Sequence, residues 1–150
     1  MLKKLITLLL AALLLFTAAC AEENTVEEPI MYITINGTTL TMTVADNAAA
    51  RELLAMLADG PITVTTHGYG GWEQVGSLGF SLPAEDTYLT ARPGDVMLYC
   101  GNQIVLFYGS NGWDYTQLGH IQDRTADELK QLLGSGEDTV VLSLEAPAHE

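Results

Sequence analysis

Basic side chains are scarce in this chain. Lys and Arg total 6 against 19 Asp and Glu in 150 residues, a formal net charge of −13. A nucleic-acid binder needs a clustered basic surface to neutralise phosphates, so no nucleic-acid partner is expected. Cysteine is limited to Cys20 and Cys100, too few for a disulfide-stapled scaffold. The 14 glycines follow no fixed period and 48% of the residues are hydrophobic, which excludes collagenous, coiled-coil and disordered chains. No GxSxG elbow and no GxGxxG loop occurs. The three His (His67, His120 and His149) have no paired metal-ligand spacing. No metal site, no cofactor and no nucleophilic catalytic residue is therefore expected.

The apolar run Leu5–Ala19 is shorter than the roughly 20 residues of a membrane span. It follows a basic Met1-Leu2-Lys3-Lys4 start and ends Phe16-Thr17-Ala18-Ala19-Cys20, the layout of a secretory signal. Small residues before a Cys resemble the bacterial lipobox, with Thr17 where Leu is usual. Residues 1–19 are thus read as a lipoprotein signal peptide and Cys20 as the lipidated residue. Two acyl chains give stable anchoring where one does not. The expected location is the bacterial cell envelope, lipid-anchored and extracytoplasmic, with the membrane as a partner through Cys20. Residues 20–29 form an acidic linker, 30–145 a folded domain and 146–150 a tail. Cys100 ends the apolar run Val96-Met97-Leu98-Tyr99 and is read as a small buried hydrophobe.

Within the domain, Ile30–Val44 has the alternation of a β-hairpin around Asn36-Gly37. Asp46 or Asn47 caps a helix whose apolar face is Ala50, Leu53, Leu54 and Leu57, stopped by Gly60-Pro61. Ile62–Thr66 is a strand. The glycine-dense segment Gly68–Gly79 reads as turns, bulges and close strand crossings. Ser81–Arg92 reads as a loop, Val96–Tyr99 and Gln103–Tyr108 as a hairpin, Gly109–Asp114 as a loop and Thr116–Gln122 as a strand. Thr125 and Glu128 make a capping box for a helix ended by Gly134, and Thr139–Leu144 is the last strand. Seven or eight strands with two short helices predict a mainly β fold, a closed barrel whose ends the helices cover.

The motifs Glu73-Gln74-Val75-Gly76-Ser77-Leu78, Arg92-Pro93-Gly94-Asp95-Val96-Met97-Leu98-Tyr99, Gly101–Gly109 and Tyr115-Thr116-Gln117-Leu118-Gly119-His120-Ile121 occur in this order. Together with Ile33-Thr34-Ile35-Asn36-Gly37 they resemble the cyclophilin-like domain family of bacteria and archaea. The resemblance covers roughly residues 30–145 and implies a cyclophilin-type barrel of about eight strands with two helices. True cyclophilins carry a Phe-His-Arg-Val segment, whose Arg acts on the prolyl peptide, and an Asn-Gly-Ser-Gln-Phe-Phe segment. Neither occurs here.

The candidate ligand groove is assembled from Trp72, Glu73, Phe107, Tyr108, Trp113, Tyr115 and His120. Aromatic rings offer large contact area at low entropic cost. Strand alternation puts Phe107 and Tyr108 on opposite faces, so that one of the two at most faces the core. Glu73, between aromatic and apolar neighbours, is expected to have a raised pKa if it points inward. The favoured function is a non-catalytic, membrane-tethered binding module for a peptide or small molecule. The alternatives are a divergent peptidyl-prolyl isomerase or acid/base enzyme using Glu73 with His120, and a structural envelope lipoprotein.

Overall fold

A computed structural model describes residues 27–148. The signal segment, Cys20, most of the linker and His149 lie outside these residues. The elements are β1 (Ile30–Ile35), β2 (Thr38–Val44), α1 (Ala48–Leu57), β3 (Ile62–Tyr69), β4 (Glu73–Ser77), β5 (Thr87–Ala91), β6 (Asp95–Tyr99), β7 (Gln103–Phe107), β8 (Asn111–Ile121), α2 (Ala126–Leu133) and β9 (Glu137–Ser143).

The sheet order is β2-β1-β9-β3-β4-β7-β6-β8-β5, with a further β2–β8 pairing. That pairing closes a ring of eight antiparallel strands, a closed β-barrel. Closure removes the unpaired edges that an open sheet would expose. β5 is a ninth strand outside the ring, paired only with the first half of β8. The second half of β8 belongs to the ring, between β6 and β2.

Local chemistry explains most element boundaries. Asn36 (φ 48) and Gly37 (φ 82) both take positive φ, the geometry of the tight turn that matches strand twist. Asn47 caps α1 by accepting from the Ala50 amide at 2.9 Å. Thr125 and Glu128 form the expected capping box on α2. Both helices turn their apolar faces into the main core, α1 through Ala49, Ala50, Leu53 and Leu57 and α2 through Leu129 and Leu133.

Three expectations are corrected. Ser81–Arg92 is not all loop, because Thr87–Ala91 is β5. Only Ala91 of that strand is buried, so it lacks the apolar alternation by which a strand is recognised. Gly109–Asp114 is also not a loop, since β8 starts at Asn111. Gly112 looks like turn punctuation, but a Cβ there would meet Tyr88 Oη at 2.7 Å, so it marks a close strand contact. Cys100 is exposed, not buried. It sits with Gly101 at the tip of the β6–β7 hairpin, both at positive φ (50 and 73), and a tip projects away from the core.

The core has two compartments. The inward faces of the ring and both helices form the larger one. Val75, Ala91, Met97, Val105, Phe107 and Tyr115 form the smaller. Residues alternate between the two along β7: Ile104 and Leu106 join the large cluster, Val105 and Phe107 the small one. The middle strands β4, β6 and β7 are therefore buried on both sides. Their second face is covered by residues of β5 and β8, and this is where the candidate site lies.

Ring closure rests on close backbone contact at Gly119, opposite Val44. A Cβ at Gly119 would lie 2.2 Å from the Thr43 carbonyl oxygen, which the backbone must move to accommodate. Gly119→Ala is expected to destabilise the fold by about 2–4 kcal/mol, the cost of overpacking against main chain, as measured by denaturant unfolding. An unchanged midpoint would show that the β2–β8 seam has slack.

Candidate functional site

The glycine-rich turn after β3 seats an indole. Gly70 (φ 62) and Gly71 (φ 81) reverse the chain between Tyr69 and Trp72, conformations that favour glycine. A Cβ on Gly70 would fall 2.2 Å from the Trp72 ring, and one on Gly109 would fall 2.6 Å from Trp72 Cβ. The Trp72 carbonyl accepts from the amides of Tyr108 (3.0 Å) and Gly109 (2.8 Å). The Tyr69 ring meets Trp72 edge-on, with centroids 6.4 Å apart. Trp72 is thus fixed by its backbone on one side and by bare glycine on the other.

β4 begins at the next residue, Glu73. It pairs with Tyr69 on β3 and Phe107 on β7, which places it on the same face as Val75 in the smaller core compartment. Glu73 is only 6% exposed. Its Oε2 and the indole Nε1 of Trp72 are both buried without a hydrogen-bond partner. Burial pushes the Glu73 carboxyl up to about 7, partly offset by a weak hydrogen-bonding contact from the Trp72 indole to the carboxylate, one that falls short of a well-formed bond at Oε2 and Nε1. Removing water from a carboxylate without supplying partners favours its neutral form.

A cavity of about 500 Å³ opens over this pair, lined by His67, Tyr69, Trp72, Glu73, Val75, Tyr99, Gln103, Asn111, Trp113 and Tyr115. Tyr115 is its inner wall, packed edge-on against Phe107 (5.6 Å) and Tyr99 (6.1 Å). Burial raises the Tyr115 hydroxyl above its ordinary pKa. The hydrogen bond from Asn111 opposes this, and the charge of Glu73 adds to it. Tyr69 and Trp113 stand at the rim, 62% and 54% exposed.

Of the seven groove residues read from the sequence, Trp72, Glu73, Trp113 and Tyr115 line this cavity. Phe107 is fully buried beside Tyr115, beneath the lining. Tyr108 does not take part. It belongs to the main core, so both Phe107 and Tyr108 are buried, and the rule that one of the two would be free fails because β7 is covered on both faces. His120 is also elsewhere. Its Nδ1 lies 2.8 Å from Asp95 Oδ1, and it borders a separate cavity of about 620 Å³ with Arg51 and Asp46. The expected pairing of Glu73 with His120 is therefore not assembled.

Sequence reasoning missed Tyr69 and Tyr99. Both lie at strand ends where alternation was available as a signal: Tyr69 is opposite Glu73, and Tyr99 is two residues from Met97 of the same compartment. No Arg or Lys lines the cavity. Among the described residues, no three His, Cys, Asp or Glu side chains are grouped to hold a metal ion.

The sequence profile of the cyclophilin-like family matches residues 33–145. The chain therefore belongs to the cyclophilin-like family. No curated protein is significantly similar. Among solved structures, the hypothetical protein AF2241 of Archaeoglobus fulgidus, known from a solution structure, superposes with a TM-score of 0.55. It is 18% identical, and the match covers 79% of this chain and 95% of that one. At that identity the likeness concerns the fold alone.

The raised Glu73 pKa has a stability consequence. The unfolded carboxyl loses its proton near pH 4.5, whereas the folded one keeps it to about pH 7. The folded state therefore binds more protons across that window, and stability falls as pH rises through it. Glu73→Gln removes this term. Relative to the natural chain, it is expected to be neutral at pH 4 and stabilising by about 1–3 kcal/mol at pH 8. Paired thermal melts across this range check it, and a difference independent of pH would place the shift elsewhere.

Proposed function

We propose that this chain is a lipid-anchored, extracytoplasmic binding module that takes a small molecule or short peptide segment into the Trp72–Glu73–Trp113 cavity. One observation carries the reading: a buried donor, Trp72 Nε1, and a buried acceptor, Glu73 Oε2, have no well-formed hydrogen bond beyond their weak contact with each other, on residues that line the same cavity. Each orphaned group costs about 1–3 kcal/mol of desolvation. Such a cost is tolerated at sites where a ligand later supplies the missing bond. The surroundings support the same reading. Ligand pockets are concave and mainly aromatic or apolar, with few polar groups, and this cavity matches them in size and lining.

The anchoring part rests on the Thr17-Ala18-Ala19-Cys20 motif and on the acidic segment before Ile30. It is tested by mass spectrometry of the membrane-extracted protein. The expected N-terminus is Cys20 carrying a thioether-linked diacylglycerol, and Cys20→Ser is expected to release the domain from membranes. An unmodified Cys20 would remove the tether from the proposal.

A second reading, an acid/base enzyme, draws on Glu73 itself. A carboxyl with a pKa of about 7 is poised to take and give a proton near neutral pH. His120 is bound to Asp95 and does not serve as its partner. An assay of prolyl isomerisation on a model peptide is expected to show no catalysis. Catalysis that disappears in Glu73→Gln would favour the enzyme.

The chain has 2 Trp, and both line the cavity, so intrinsic tryptophan emission reports on this site alone. A panel of small neutral, anionic and cationic compounds is expected to contain members that shift the emission saturably. Trp113 is exposed at the rim, so Trp113→Ala is expected to weaken those members at least tenfold without changing the melting temperature. A panel that leaves the emission unchanged throughout would overturn the binding reading.

A further inference from the structure

The composition of the cavity also limits the kind of ligand it takes. Five aromatic side chains surround the opening: Tyr69, Trp72, Tyr99, Trp113 and Tyr115. The one carboxyl among the lining residues is Glu73, and no Lys or Arg is present to pair with it. Its Oε2 is buried and unpartnered, so the site presents an unmet demand for a hydrogen-bond donor or a positive charge. The formal charge of −13 repels anions and draws cations toward any opening on the surface.

An inorganic cation does not suit the site. Hard ions favour several charged or carbonyl oxygen ligands; beside the Gln103 and Asn111 amides and the tyrosine hydroxyls the lining offers one carboxyl, and among the described residues no three His, Cys, Asp or Glu side chains are grouped. An organic ammonium does suit it, because its positive charge is spread over CH groups that pack against ring faces. Trp72 Nε1–H has no well-formed bond, only a weak contact with the Glu73 carboxylate. It is a donor only, so a ligand with an acceptor oxygen close to its cationic group gains a second contact.

We infer that the cavity binds a small organic ammonium compound bearing a nearby oxygen, with Glu73 as counter-ion, Trp72 Nε1 as donor to the oxygen, and the surrounding Tyr and Trp rings as cation-π walls. This rests on the binding reading above and specifies its ligand class. A free organic ammonium such as choline and a lysine side chain on a peptide share the cationic chemistry, and the site is assigned to the free ammonium because its oxygen is close to the charge, whereas the oxygens of a lysyl peptide lie beyond a four-carbon stem.

Ammonium binding requires ionised Glu73, whose carboxyl is raised by burial to about 7 in the empty site. Bound cation and bound proton therefore compete. The other titratable groups around Glu73 are His67 and Tyr69 on β3, Tyr99 on β6, Tyr108 after β7 and Tyr115 on β8. Of these, His67 is the one that adds positive charge on protonation, so His67→Gln separates its contribution from that of Glu73.

The test is a tryptophan-emission titration of the full chain in non-ionic detergent. The probes are choline, its uncharged isostere 3,3-dimethylbutan-1-ol, and the methylamides of Nα-acetyl-lysine and Nα-acetyl-norleucine. Choline is expected to bind at least tenfold more tightly than the neutral alcohol and more tightly than the lysine derivative. Glu73→Gln is expected to reduce choline binding at least tenfold and the neutral alcohol far less, with a thermal melt at pH 8 showing that the variant is folded. Tyr69→Leu, at an exposed position, is expected to weaken choline several-fold. Below pH 7 choline affinity is expected to fall about tenfold per pH unit in the natural chain and in His67→Gln, but not in Glu73→Gln.

Tighter binding of the lysine derivative would overturn the free-ammonium assignment and point to a peptide. A neutral alcohol that binds as well as choline, or choline binding that survives Glu73→Gln, would overturn the ammonium class and leave the cavity as a binding site. Failure of both cationic probes would overturn the inference. The broader compound panel would then decide separately whether the cavity binds anything.

Discussion

A carboxyl group buried in an aromatic cluster, with one oxygen shut off from solvent and from any well-formed hydrogen bond, is the constraint around which the site is organised. An outer strand with one wet face would leave Glu73 open to water. β4 instead lies between β3 and β7 in the closed ring, and its second face is covered by the compartment containing Phe107 and Tyr115. Residues of β5 and β8 provide that cover. The carboxyl is left with a cavity above it, an indole donor beside it and no Lys or Arg among the lining residues. Holding it there opposes folding at neutral pH, which is why the proposed binding site is centred on Glu73.

The barrel makes this arrangement rigid. Trp72 is held through its carbonyl by two amides that follow β7, and its ring rests where Gly70 has no side chain. Tyr115 is gripped by Phe107 and Tyr99. The inner wall is therefore held by its own packing, and Tyr69 and Trp113 stand exposed at the rim. For the proposed ligand, preorganisation of this kind would reduce the ordering cost of binding.

Much of the scaffold was legible in the residues. Asn36-Gly37 announced the first hairpin, Asn47 the start of α1, and Thr125 with Glu128 the start of α2. Each is a local device whose chemistry is complete within a few residues. β5 was hidden because Tyr88 and Leu89 alternate over a strand with almost no buried face. The first half of β8 was hidden by Asn111-Gly112, which reads as a turn until the Tyr88 hydroxyl is seen to occupy the space beside Gly112. Within the site, Trp72 and Glu73 were recognisable from their setting in a glycine-rich segment. Tyr108 and His120 were misplaced, because strand alternation tells which residues share a face and not which faces are covered. Membership of the cyclophilin-like family agrees with the barrel and leaves function to be argued from the site.

The most direct measurement is the ionisation of Glu73 itself, followed by NMR through its side-chain carboxyl carbon in carbon-13-labelled protein. The account predicts a midpoint near pH 7 in the ligand-free chain. A midpoint near pH 4.5, the ordinary value for a solvated Glu, would show that water or another partner reaches the carboxyl. That result would contradict the unpartnered site on which the functional reading depends.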